Sequence, residues 1–230
     1  MGNETRKTNR ARGQDFINQY FQGNVIDIGG GEDPVTQNAK VFDLQDGDAQ
    51  YISKYESLES YDCVHSSHCL EHMKNVPEAF SEWWKLVKKD GYMIVTVPHE
   101  DLYEQKIWPS IFNNDHKATF RLDQEDTWSD VSYDLKILSE SLSNAVIIDY
   151  CIQDKGYDYN LQYKKIPSKF KRIYRWQFSK NKMKRMLGRS IYQFLYSRYY
   201  LNSHYESGTP IDQTSGDALA QIQVVLKKVS

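Results

Sequence analysis

The stretch VIDIGGGEDPVTQNAKVFDL, residues 25–44, decides how the rest of the chain is read. VIDI (25–28) is a short apolar run that ends in three glycines and then a proline at position 34, the pattern of a buried strand entering a turn. AKVFDL (39–44) reads as a second strand, after a gap too short for a full crossover helix. Consecutive glycines tolerate unusual backbone angles and let a ligand approach the main chain, although a tight turn would use them equally well. Asp43 stands at the end of the second strand, where a carboxylate can accept both hydroxyls of a ribose.

Working outward, residues 1–12 read as a loose basic arm and 13–22 as a short helix, with Phe16, Ile17, Tyr20 and Phe21 at helical spacing. DGDAQYI (46–52) suggests a turn and a brief strand, YDCVHSS (61–67) a buried strand, and HCLEHM (68–73) a turn or helix start. Asn75 and Glu78 form a capping-box pattern around Pro77, predicting a helix closed by Lys88, Lys89 and Gly91. GYMIVTVP (91–98) is an almost continuous apolar strand, as expected where both sheet faces are covered. A helix over about 127–142 and strands AVIIDYCI (145–152) and AQIQVVLKK (220–228) complete the alternation. The pattern predicts an α/β fold: an open, mostly parallel, Rossmann-like sheet of about seven strands. The strands at 24–28, 39–43, 62–66, 92–97, 145–151 and 220–227 are expected to share it.

The chain has 230 residues, 40% hydrophobic and 26% charged, which excludes collagenous, coiled-coil and wholly disordered classes. No run approaches the roughly 18 apolar residues of a membrane span, and the polar start is not a secretory signal. Three cysteines, Cys63, Cys69 and Cys151, give no disulfide framework. The chain therefore reads as soluble and cytoplasmic. Net charge is −2 but uneven: residues 155–205 carry +12 and the remainder −14.

A dinucleotide site would use GxGxxG, but GGGEDP lacks the third glycine. Glu32 and Asp33 would also repel a pyrophosphate. A cationic, phosphate-free nucleoside such as S-adenosylmethionine suits the loop better. With VIDIGGGEDP, VFDLQDGDAQYI and YDCVHSSHCLEHMKNVPEAFSEWWKLVKKDGYMIVTVP in order over residues 24–98, the chain resembles class I S-adenosylmethionine-dependent methyltransferases. The short loop between the first two strands departs from that pattern. The stretches VPHEDLYEQKIWPSIFNNDHKATF and DQTSGDALAQIQVVLKK resemble a subgroup associated with surface-polysaccharide (capsule) and small-molecule biosynthesis.

The resemblance implies S-adenosylmethionine as cofactor and a role for each matching residue. Asp27 would organise the loop, while Gly29, Gly30 and Gly31 admit the methionyl part. Asp43 would hold the ribose and Leu44 would pack on the adenine. Asp48 and Ala49 would meet the adenine edge, although Asp48 is equally explained by turn chemistry in DGD. Ser66, Ser67 and His68 would flank the sulfonium and the acceptor.

A hydroxyl acceptor needs a base with a pKa near the working pH, which histidine supplies. His68 is the first candidate, His116 beside an orienting or substrate-binding Asp115 the second, and His99 the third. An anionic acceptor would need no base. His68-x-x-Glu71-His72 also spells a zinc-hydrolase string that, on a helix, places two imidazoles one turn apart. The methyltransferase pattern accounts for Glu-His at that point without a metal, and none is assigned.

The chain is expected to form one domain over 1–230, with a basic, aromatic helical insertion at 155–215. Met183, Leu187, Ile191 and Phe194 or Leu195 mark one face of its helix. The insertion reads as a solvated face, as a lid over a small anionic acceptor, as a membrane-surface contact, or as an interface between copies. Nucleic acid is the weaker use of its charge, since no RNA-binding module accompanies it. A methyltransferase-like binding subunit without catalysis is the remaining reading.

Overall fold

In the computed structural model, the described residues are 4–163, 176, 179–199 and 210–229. The chain divides into two compact units, residues 1–157 with 213–230, and residues 158–212. The first unit is built on a six-stranded sheet. Its strands are β1 (Val25–Ile28), β2 (Lys40–Phe42), β3 (Tyr61–Ser67), β4 (Val87–Pro98), β7 (Ala145–Gln153) and β8 (Gln221–Lys228), in the order β2-β1-β3-β4-β8-β7. β2, β1, β3 and β4 run parallel, and β8 is antiparallel to both of its neighbours. All six expected strands share this sheet, one fewer than the approximate seven. A small parallel pair, β5 (Thr119–Arg121) with β6 (Ser132–Asp134), lies outside it.

Helices cover both faces. Helix α2 (Val76–Lys85) buries Val76, Ala79, Phe80, Trp83 and Trp84 in the larger core, where α3 (Leu135–Glu140) adds Leu135 and Leu138. Asn75 caps α2 by accepting the Glu78 N–H, as its sequence pattern predicts. On the opposite face α1 (Glu4–Tyr20), broken at Gly13, packs Tyr20 against Val25, Cys63, Ile94 and Val225.

Four local expectations are corrected. Residues 1–12 are not a loose arm: most of them form the first part of α1. Lys7 donates to the Thr214 and Gly216 carbonyls, Thr8 accepts from Gln221, and Arg12 enters a network under the sheet. Polar residues that read as solvated therefore have tertiary partners. The strand expected within 46–52 is a 3-10 helix, Ala49–Lys54, because the Asp48 carboxylate caps it through the Gln50 N–H. Helix α2 stops at Lys85, and β4 already begins at Val87. Lys88 binds the Asp62 carboxylate instead of closing the helix, and Gly91 lies within the strand. The helix expected over 127–142 shortens to α3, since Asp134 caps it by accepting from the Lys136 and Ile137 N–H groups while Ser132 and Tyr133 pair with β5.

In the second unit, helix α4 (Lys182–Tyr199) carries the expected basic character and leaves Met183, Leu187 and Phe194 exposed. The remainder of the insertion, 164–175, 177–178 and 200–209, lies outside the described residues. Among the described residues no helix is long and apolar enough to cross a membrane.

Candidate functional site

Strand register places the first groups. Asp27 on β1 lies opposite His65 on β3, so both point to the same sheet face. The Asp27 carboxylate accepts from His65 Nδ1 at 2.6 Å and, through its other oxygen, from the Val35 N–H at 2.6 Å. The second bond ties the far end of the glycine loop back to β1. Arg12 stands 3.1 Å from His65 Nε2, and a guanidinium can only donate. The His65 proton therefore sits on Nδ1, facing Asp27. Arg12 also donates to Gln223 at 2.7 Å and Thr96 at 3.1 Å. Burial lowers the Arg12 pKa to about 10, more than the Asp27 charge restores.

The loop itself is built for close approach. Gly29 has φ +78°, and a side chain there would come within 2.8 Å of Cys69 Cβ. A Cβ on Gly30 would meet the Asp27 carboxylate at 2.7 Å. Gly31, at φ +54°, faces Asp43, whose Oδ2 lies 3.8 Å from where a Cβ would be. Asp43 follows β2 and accepts the Leu44 N–H through Oδ1. Leu44 is 90% exposed, an apolar face left open beside that carboxylate. Asp48 uses one carboxylate oxygen as the cap described above, and the Ala49 carbonyl accepts from Trp83 Nε1. At the carboxyl end of β3, Ser66 donates to the Ile28 carbonyl, whereas the buried Ser67 hydroxyl oxygen has no hydrogen-bond partner among the described residues.

The sequence candidates for acceptor chemistry divide. His68, at φ +55°, directs Nε2 to Gln221 Oε1 at 2.9 Å and Nδ1 to Glu71 Oε1 at 3.4 Å. His99 is buried and accepts the Asp101 N–H on Nδ1, which makes it a hinge of the backbone after β4. His116 is buried with Nδ1 2.7 Å from Glu104 and Nε2 3.9 Å from Glu71. Asp115 does not orient His116. It lies 3.0 Å from His72 Nδ1 and also pairs with Lys117, so Glu104 takes the orienting place. Burial pushes the Glu71 carboxyl up, but the nearby imidazoles of His68, His116 and His72 outweigh this and hold it below the ordinary value.

The zinc-hydrolase string does not form as written. Residues 70–72 are a single 3-10 turn, not a helix carrying two stacked imidazoles. Arg12, Thr96, Glu104, Gln221 and Gln223 were not read from sequence as site-forming. The one available signal was the alternation of glutamine with apolar residues in AQIQVVL.

Two buried histidines set a pH dependence. Burial holds both His65 and His99 below the ordinary 6.5, and the Arg12 charge adds to the effect at His65. The unfolded chain binds these protons as pH falls through 6.5 while the folded chain does not, so stability is full above 6.5 and falls below it. The slope is about 1.4 kcal/mol per pH unit for each imidazole. Denaturant midpoints measured from pH 8 to 5.5 should be flat and then drop. A flat profile throughout would contradict the buried, neutral assignment.

Comparison with solved structures gives low identities. A S-adenosylmethionine-dependent methyltransferase from Archaeoglobus fulgidus is 18% identical, covers 98% of this chain and 94% of its own, and has a TM-score of 0.49. A S-adenosylmethionine-dependent methyltransferase from Thermotoga maritima is 13% identical, with coverage of 90% and 83% and a TM-score of 0.44. No curated protein matches the chain by sequence. The family model described as a methyltransferase domain matches residues 5–128, more than half of the chain. That match overturns the hydrolase reading, because the matched span includes the whole His68–His72 string. A half-buried carboxylate facing a glycine, an exposed leucine beside it and an unpartnered buried serine oxygen fit a nucleoside carrying a methionyl tail. With a glycine loop, an acidic strand end and a matched domain in register, the chain belongs to the family of S-adenosylmethionine-dependent methyltransferase domains.

Proposed function

We propose that the protein methylates an oxygen of a small anionic acceptor, such as a sugar, sugar nucleotide or phosphorylated or phosphoramidate precursor of a surface polysaccharide. One observation carries the site assignment: Cys69 packs on Gly29, so the turn bearing His68, Glu71 and His72 borders the glycine loop. In this reading Asp43 accepts the ribose hydroxyls, Leu44 lies on the adenine, and Asp48 and Ala49 meet its edge. Gly29, Gly30 and Gly31 leave room for the methionyl part, with Asp27 holding the loop. Ser66, Ser67 and His68 line the transfer side. S-adenosylmethionine supplies an activated methyl group on sulfur. The chain's own residues position the acceptor in line with it and exclude water.

Both ring nitrogens of His68 face partners, and His99 uses Nδ1 to hold backbone. Acceptor activation is assigned to the cluster of Glu71, His72 and His116, to which His68 is joined through Glu71. The anionic class rests on the +12 charge of residues 155–205. Transfer of labelled methyl groups to matched phosphorylated and neutral sugars should favour the phosphorylated ones at least tenfold in kcat/KM. Equal rates on neutral and anionic acceptors would sink the anionic assignment.

A further inference from the structure

We propose that Glu71, His72 and His116 bind a divalent first-row transition-metal ion at the border of the glycine loop. One ligand atom from each residue lies within 4.8 Å of the others. Atoms bound to a common ion at about 2.1 Å stand roughly 3–4 Å apart, so closing the set needs only small side-chain shifts. Main-chain bonds hold the two segments together: the Lys117 and Ala118 N–H groups donate to the Glu71 carbonyl at 2.7 and 3.2 Å.

Glu71 carries the second observation. Its side chain is buried and, among the described residues, Oε2 has no hydrogen-bond partner while Oε1 has only the His68 Nδ1 contact at 3.4 Å. A buried carboxylate left in that state needs a cation. The imidazoles are arranged as metal ligands commonly are, each with Nδ1 against a carboxylate: His116 on Glu104 at 2.7 Å and His72 on Asp115 at 3.0 Å. Nε2 is then the nitrogen left for an ion. His116 Nε2 stands 3.9 Å from a Glu71 oxygen, so an ion between them would meet both ligand atoms. One carboxylate and two imidazoles, with positions left open, suit an ion of this class.

The proposed role rests on the methyl-transfer reading; the binding itself does not. A cation beside the acceptor hydroxyl lowers its pKa. The oxygen–carbon bond then forms as the sulfur–methyl bond breaks, the sulfonium becomes a neutral thioether, and the hydroxyl proton leaves to water.

The test uses the full chain, stripped with EDTA and dialysed, then titrated with Co²⁺ by visible absorption and Zn²⁺ by calorimetry. Binding of S-adenosylhomocysteine is measured on the same samples. One equivalent of metal should bind, with at least tenfold weaker affinity in His72→Asn and His116→Asn. His72 is half-buried, so its variant should fold even if the His116 variant does not. Glu104→Gln, which positions His116, should weaken metal binding while leaving S-adenosylhomocysteine affinity unchanged. Absence of stoichiometric binding, or unchanged Co²⁺ spectra and affinity in the His72 variant, overturns the site. If S-adenosylhomocysteine binds but no metal does, the metal site fails and the methyltransferase reading stands. If metal binds without S-adenosylhomocysteine, the site stands and the methyl-transfer role fails.

Discussion

Asp43→Ala is expected to weaken S-adenosylhomocysteine binding by at least 100-fold, read by calorimetry. A carboxylate that accepts from ribose hydroxyls makes charge-assisted hydrogen bonds, each contributing about 1.5–3 kcal/mol, and about 3 kcal/mol corresponds to roughly 150-fold in affinity. Asp43 is placed for this because it follows β2 at the carboxyl edge and its Oδ2 faces Gly31 across the loop. Alanine also removes the acceptor of the Leu44 N–H, but the Asp43 N–H keeps its bond to Asp46. Asp43→Asn retains one acceptor oxygen and should fall between the two. Wild-type affinity in the alanine variant would take Asp43 out of the cofactor site.

Arg12→Met should cost about 2–4 kcal/mol of folding stability, the range for removing one member of a buried polar group and leaving the others unpaired. The loss is shared by His65 Nε2, Thr96 Oγ1 and Gln223 Oε1, each of which meets the guanidinium. Methionine supplies neither the donors nor the charge that the guanidinium places over the Phe16 and Phe21 rings. Since His65 orients Asp27, and Asp27 holds Val35, cofactor affinity should fall as well. A loss of unfolding free energy smaller than about 0.5 kcal/mol in denaturant titration would mean that α1 is peripheral to the sheet.

The positions of the strands were legible because buried strands are short, largely apolar runs bounded by turn residues, as VIDI and GYMIVTVP show. The place of Asp43 at the end of β2, beside the glycine loop, was legible because AKVFDL marks the strand it follows. What stayed hidden were partnerships between distant polar residues. Lys7, Thr8 and Arg12 carry no local pattern that separates a solvated arm from a helix inserted among Gln221, Gln223 and Thr214. Asp48 and Asp134 redirected their neighbourhoods by capping, which shortens or replaces an element without changing its composition. The Asp115–His116 adjacency pointed to the wrong pair, because a turn rotates neighbouring side chains apart and Glu104 arrives from another loop.

β8 lies between β4 and β7, although it is made after both. Until residues 221–228 emerge from the ribosome, β4 has β3 on one side but no partner on its other edge along Tyr92–Pro98, and β7 lacks one along Ala145–Gln153. Those two bare edges are templates for pairing with other chains. Closure also requires contacts across a long sequence separation, which slows folding. A stalled or prematurely terminated product ending before Gln221 should therefore aggregate, and translation past that residue sets the earliest moment at which this sheet can close.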